Sequence, residues 1–158
     1  MTAHYTFDHS ADEVFALLTD PDFLVERGLA LGEKDIDCEV EEEGRKTTVI
    51  LKRTIKRDLP KVLAKLFGDE NTIEQTELWE TVGSSYLGSY TAEVHGQPVT
   101  LSAKFKLKPA GEGCEFSIDY KCKASIPVVG KKVEAFIMSQ TEDGMIAEMD
   151  YLARQLNG

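Results

Sequence analysis

Apolar positions along this chain recur at helical spacing near its start, alternate with polar ones through its middle, and return to helical spacing at its end. A strand is predicted over 3–9. In "SADEVFALLTD", Ser10 and Glu13 form a Ser-x-x-Glu capping box. Val14, Leu17 and Leu18 make the apolar face of the helix that follows, with Phe15 at its edge. A second short helix, about 21–30, begins at Pro21 and stops near Gly32.

From residue 35 the period becomes two. Ile36, Cys38 and Val40 alternate with acids, and Thr47, Val49 and Leu51 alternate with Lys46, Thr48, Ile50 and Lys52. A turn at Glu43-Gly44 would pair Ile36 with Leu51 and Cys38 with Val49. The same register sets Asp35 beside Lys52 and Glu41 beside Lys46. Four more strands are predicted at about 71–82, 85–95, 98–108 and 113–124. Between strands lies "RDLPKVLAKLFGDEN", read as a helix at about 59–67. Asp58 and Pro60 mark its start, Gly68 its stop, and Leu59, Val62, Leu63, Leu66 and Phe67 its apolar side. The chain closes on a long helix, about 127–156, whose stripe includes Val133, Phe136, Ile137, Gln140, Gly144, Ala147 and Tyr151.

The turns set a register. Gly83-Ser84 suits a tight hairpin, which pairs Trp79 with Gly88 and Glu77 with Tyr90. Across "VHGQPV", Tyr90 falls opposite Ala103 and Gly88 opposite Phe105. Across "KPAGEG", Ala103 is expected to face Ile118 and Leu101 to face Tyr120. Gln75, Glu77 and Trp79 then point inward. A slip of one residue would reverse every one of these positions.

The order is strand, two helices, six strands, long helix. With "SADEVFALLTDPDFL", "RTIKRDLPKVLAKLF", "EQTELWE" and "ASIPVVGKKVEAFI" in that sequence and spacing, the chain resembles the START-like superfamily of helix-grip proteins. That superfamily includes lipid-transfer domains, polyketide cyclases and the birch-pollen allergen fold. Within it, the chain looks like the bacterial branch known as domain of unknown function 2505. The resemblance implies an α+β fold in one domain over 1–158: a curved antiparallel seven-stranded sheet around a long C-terminal helix. It further implies an internal cavity for an apolar or amphipathic small molecule. It carries no reaction, because one fold hosts many functions.

On the inner face of such a sheet, the candidate ligand-binding residues are Glu77, Trp79, Tyr90, Ala103, Phe105, Ile118 and Tyr120. Phe136, Gln140 and Gly144 join them from the helix. Glu77 is the most informative, since a carboxyl in an apolar pocket is a general acid, a ligand anchor or a structural group. Three functions follow: carriage of a lipid-like, quinone-like or polyketide-like molecule without catalysis, a cyclase or aromatase using Glu77, and an interaction domain with a solid core. A void of a few hundred Å³ separates the third from the others.

Composition narrows the partners. Net charge of −10 argues against nonspecific nucleic-acid binding. Residues 45–65 nevertheless carry eight basic residues and one acid. Lys61 and Lys65, with Leu63 and Phe67, are therefore candidates for a cavity entrance or membrane contact. No apolar run reaches the ~18 residues of a membrane span, and the N-terminus lacks a signal-peptide pattern. A cytoplasmic protein, monomeric or weakly dimeric, is expected. His4, His9 and His95 lack metal spacing, and no cofactor motif is present. Cys114 and Cys122, on one strand, stand roughly 26 Å apart at ~3.3 Å per residue and cannot pair. Reduced thiols are expected for these and Cys38.

Overall fold

Seven antiparallel strands form one curved sheet in the order β1-β7-β6-β5-β4-β3-β2, the helix-grip arrangement. The computed structural model describes residues 2–57 and 59–158. Its elements are β1 (Thr2–Phe7), α1 (Ala11–Leu18), α2 (Pro21–Ala30), β2 (Lys34–Glu43) and β3 (Lys46–Lys56), followed by α3 (Lys61–Phe67). Then come β4 (Glu70–Val82), β5 (Ser85–Val94), β6 (Val99–Ala110), β7 (Gly113–Ala124) and α4 (Gly130–Asn157).

Local chemistry explains the entries. Ser10 accepts from the Glu13 amide at 3.1 Å, and its hydroxyl donates to the Glu13 carboxylate at 3.2 Å. The capping box therefore forms as read. Asp20 caps α2 through the Asp22 amide, one residue before the helical Pro21. Gly28 lets α2 lie close on β2, since a Cβ there would sit 2.6 Å from the Ile36 side chain.

The central hairpins have the predicted pairing: Trp79 with Gly88, Glu77 with Tyr90, and Tyr90 with Ala103. Trp79 covers Gly88 so closely that a Cβ would meet its indole at 3.0 Å. Two other hairpins are shifted by two residues from expectation. Cys38 pairs with Leu51 and Val40 with Val49, while Ala103 pairs with Tyr120 and Leu101 with Cys122. The cause is turn chemistry. Gly44 and Gly111 occupy the first turn position with φ of +62° and +58°, as Gly83 does. Glycine reaches that region at no steric cost. The strands therefore zip up to Glu43–Lys46 and Ala110–Gly113. A shift of two preserves which face each side chain takes. It also redraws the charge ladder. Lys46 lies between Glu43 and Glu80, and Lys52 between Asp37 and Glu74.

Other boundaries move less. β1 ends at Phe7 rather than residue 9, and α4 begins at Gly130 rather than 127. Val128, fully exposed at φ +70°, is incompatible with the helix, so the chain turns before α4 starts. In α3 only Leu63 is buried. Val62 and Leu66 are exposed, because a seven-residue helix presents a narrow face. Asp58, expected at its start, lies outside the described residues. All three cysteines are free thiols.

The space between sheet and α4 has two ends of different character. At one, Phe15 of α1 stacks on Tyr86 at 3.9 Å and meets Trp79 edge-on at 5.4 Å. Phe105 and Phe116 complete this aromatic fill. Tyr86 is tied to α1 by its hydroxyl, which donates to Asp12 at 2.6 Å. The other end is hollow and charged.

Candidate functional site

Alternation along β3 places Val49, Leu51, Arg53 and Ile55 on the inner face, and Arg57 follows in the same parity just past the strand. On α2, Arg27 stands one turn beyond the buried Phe23 and Leu24, so the helix delivers it to the interior. Glu33 sits in the α2–β2 connection, and Glu148 on the inward side of α4. These charges converge. Arg53 Nη1 lies 3.1 Å from Glu148 and 3.6 Å from Glu33, and Arg27 Nη2 lies 3.6 Å from Glu148. Arg27 is 5% exposed.

A cavity of about 340 Å³ lies beside this network. Its charged side is made by Arg27, Glu33, Arg53 and Arg57, with Glu148 from α4. Gln75, Glu77, Trp79 and Tyr90 form its floor on the central strands. Leu18, Leu24, Leu101, Phe105 and Phe116 supply apolar wall, and Met145 and Met149 face them from α4. Asp143 and Gly144, both exposed, mark its rim. Nothing lies within 4 Å of where a Gly144 Cβ would be, so this mid-helix glycine leaves open space. A wider trough of about 850 Å³ crosses the outer face of the sheet, past Leu78, Leu87, Lys104 and Lys106. It is open to solvent. The inner cavity, where burial lowers the local dielectric and strengthens each electrostatic contact, is the candidate site.

Of the predicted binding residues, Glu77, Trp79, Tyr90, Phe105, Tyr120, Gln140 and Gly144 line the cavity. Ala103 and Ile118 are buried in packed sheet beyond it, and Phe136 packs against the core. None of Lys61, Leu63, Lys65 and Phe67 lines it. Leu63 is covered, while Lys61 and Lys65 face solvent. The polar network of Arg27, Glu33, Arg53, Arg57 and Glu148 was not foreseen. Its signal was present as charged residues at inward parity on β3 and on the apolar stripes of α2 and α4.

Glu77 is held firmly. Gln75 Nε2 donates to its Oε2 at 2.6 Å, and Trp79 Nε1 donates to its Oε1 at 2.9 Å. Burial pushes its carboxyl above the usual range, against the pull of those two hydrogen bonds and of Arg27. Burial likewise raises Glu33, with Arg53 opposing. Glu148 goes the other way. Burial would raise it, but Arg27 and Arg53 together outweigh burial and hold it low. Burial lowers Arg57, and the neighbouring Arg53 charge adds to this. Tyr90 is raised, chiefly by burial.

A raised carboxyl has a definite pH signature. The folded state keeps the Glu77 proton above the ordinary value of 4.5, where the unfolded chain releases it. Its contribution therefore weakens the fold as pH rises from that value to the folded pKa. Glu77→Gln lacks this slope. Its stability relative to the parent protein is expected to improve from pH about 4.5 upward. Urea midpoints measured across that range check it; parallel curves for the two proteins would refute a raised Glu77.

A family model described as a protein of unknown function (DUF2505) matches residues 2–156. No curated protein matches the chain significantly. Among solved structures, one from Thermus thermophilus is similar at 14% identity and TM-score 0.63, covering 98% of this chain and 94% of that one. A point mutant of norcoclaurine synthase from Thalictrum flavum, in complex with a transition-state analogue, is similar at 18% identity and TM-score 0.61. The coverage is 98% of this chain and 91% of that enzyme. The same enzyme in complex with dopamine and hydroxybenzaldehyde matches at 17% identity and TM-score 0.57, over 99% of this chain and 84% of that one. These likenesses concern the fold. Among the described residues no helix is long and apolar enough to cross a membrane, and no group of three metal-ligating side chains occurs.

Proposed function

This chain belongs to the DUF2505 family, and we propose that it binds or carries a small amphipathic molecule, without catalysis, in the cavity between the sheet and α4. The observation that carries this is the cavity itself. At about 340 Å³ it falls at the lower end of the ~300–1,000 Å³ typical of ligand pockets. It has an apolar wall on one side and a few fixed polar groups on the other, the usual makeup of such sites. Met145 and Met149 add an adaptable surface. In the similarly folded norcoclaurine synthase, small aromatic molecules are bound.

The hollow supports a binder over a solid-core interaction domain. A cyclase-like role for Glu77 is less well supported, because both of its carboxylate oxygens already accept hydrogen bonds from Gln75 and Trp79. A general acid has to reach its substrate.

The chain has a single tryptophan, and it lies against the cavity. Titration with octanoate, octanol and octylamine is expected to change Trp79 emission saturably for at least one of them. Native mass spectrometry of gently purified protein is expected to show a copurified small molecule. A flat emission response to all three, with no copurified species, would sink the proposal.

A further inference from the structure

Every carboxylate facing the cavity from its walls has a donor. Glu148 has Arg27 and Arg53, Glu33 has Arg53, and Glu77 has Gln75 and Trp79. The donors are in excess. Arg53 directs Nη1 to Glu148 and Glu33, but its buried Nε has no hydrogen-bond partner among the described residues. The Arg57 guanidinium lines the cavity with no ion pair among the described residues. The Tyr90 hydroxyl, on a residue only 9% exposed, also lacks a hydrogen-bond partner among them. Asp143, at the exposed rim, forms no ion pair with these groups.

The unused donors line the same cavity. The Arg57 and Arg53 charges act on each other, and both act on Tyr90. A guanidinium presents donors in a planar fork suited to a carboxylate or phosphate. Two arginines left short of acceptors inside a fold cost stability, which native interiors tolerate rarely and at functional sites. Within the walls an amine ligand would meet carboxylates that already have donors and arginines that repel it, with Asp143, unpaired among the described residues, lying out at the exposed rim. A neutral ligand would satisfy one donor and leave the Arg57 guanidinium without an anionic acceptor.

We propose that the cavity is selective for amphiphiles carrying an anionic group, whose head is received by Arg57, the Arg53 Nε–H and the Tyr90 hydroxyl while its apolar part lies along the Leu24, Leu101 and Phe116 wall. This rests on the reading of the cavity as a small-amphiphile site and adds the charge of the ligand. Carboxylate and phosphate heads share the required chemistry. A carboxylate probe and the same chain bearing a phosphate distinguish them by which binds more tightly.

Isothermal titration calorimetry of the full chain with octanoate, octanol, octylamine and octyl phosphate at neutral pH tests it. At least one anion is expected to bind about tenfold or more tightly than octanol, the factor of one charge-assisted hydrogen bond. Octylamine is expected to bind more weakly than octanol. Arg57→Gln is expected to shrink the ratio of anion to alcohol affinity toward one, and Tyr90→Phe to reduce it severalfold. Neither substitution removes a side-chain hydrogen bond or ion pair found among the described residues, so both variants are expected to melt close to the parent. Octanol binding as tightly as both anions would overturn the anionic assignment and leave amphiphile binding standing, as would an unchanged ratio in Arg57→Gln. Failure of all four probes to bind would remove the cavity reading and the anionic assignment with it.

Discussion

Glu148→Ala is expected to lower the unfolding free energy by about 3–5 kcal/mol, the typical cost of removing one partner from a buried ion network. The reason is what stays behind. Arg27 and Arg53, with side chains 6% and 13% exposed, would lose the carboxylate they share, and among the described residues Arg27 would keep no ion pair and Arg53 only the one to Glu33. Taking the charge away costs more than the net worth of the pairs, because the guanidiniums have lost their water and gain nothing for it. At about 2–4 °C per kcal/mol for a chain of this length, the melting temperature should fall by about 10 °C. Glu148→Gln keeps the shape and an acceptor oxygen, so it should fall between the two. Urea unfolding checks both. A loss under about 1 kcal/mol, the scale of an exposed pair, would mean that both arginines reach solvent and that this end of the cavity is open.

The pH dependence of the same residue gives a second reading. Its folded carboxyl is held below the ordinary 4.5 by Arg27 and Arg53. A depressed carboxyl contributes stability that is present above the unfolded value and lost as pH falls through the folded one. The parent protein should therefore weaken in acid below pH about 4.5, and Glu148→Gln should weaken less over that window. This is opposite in sign to Glu77, whose contribution weakens the fold as pH rises. Two carboxyls on one cavity thus titrate apart because one meets arginines and the other meets a tryptophan, an amide and apolar walls.

The second large effect falls on Trp79. Trp79→Ala should cost about 3–5 kcal/mol, the range for deleting a large buried aromatic. Trp79 is 2% exposed, and its ring packs against Phe15, Phe105 and Phe116. Its loss would uncover Gly88 and merge the cavity with the aromatic end of the interior. Trp79→Phe separates packing from hydrogen bonding. It retains a ring but removes the N–H that donates to Glu77 at 2.9 Å. A buried acceptor left short of a donor costs about 1–3 kcal/mol, and the Glu77 carboxyl should rise further. Denaturation curves at two pH values check the pair. Equal losses for Ala and Phe would show that the indole N–H, rather than the ring, carries the contribution.

Much of this arrangement follows from short-range rules. Ser10 and Glu13 state the start of α1. Gly83 at the first turn position sets Trp79 over Gly88 and Glu77 beside Tyr90, so the inward carboxyl is legible in the sequence. The same rule applied one residue out of place at Gly44 moved a register by two, and a register moved by two leaves every face correct.

The sequence by itself thus determines the strands, their inner faces, the closing helix and the inward Glu77, because side-chain period and turn glycines are local properties. It also places Arg53 and Arg57 at inward parity, where they read only as part of a basic island. Tertiary structure alone decides what that placement means. Arg27, Glu33, Arg53 and Glu148 come from α2, the α2–β2 connection, β3 and α4, and no periodicity relates positions on different elements. Whether Gly144 is packed or open also depends on the distance between α4 and the sheet, set by side chains far away in the chain. The hollow beneath it, and the arginine donors that find no acceptor there among the described residues, exist only once those elements have closed on one another.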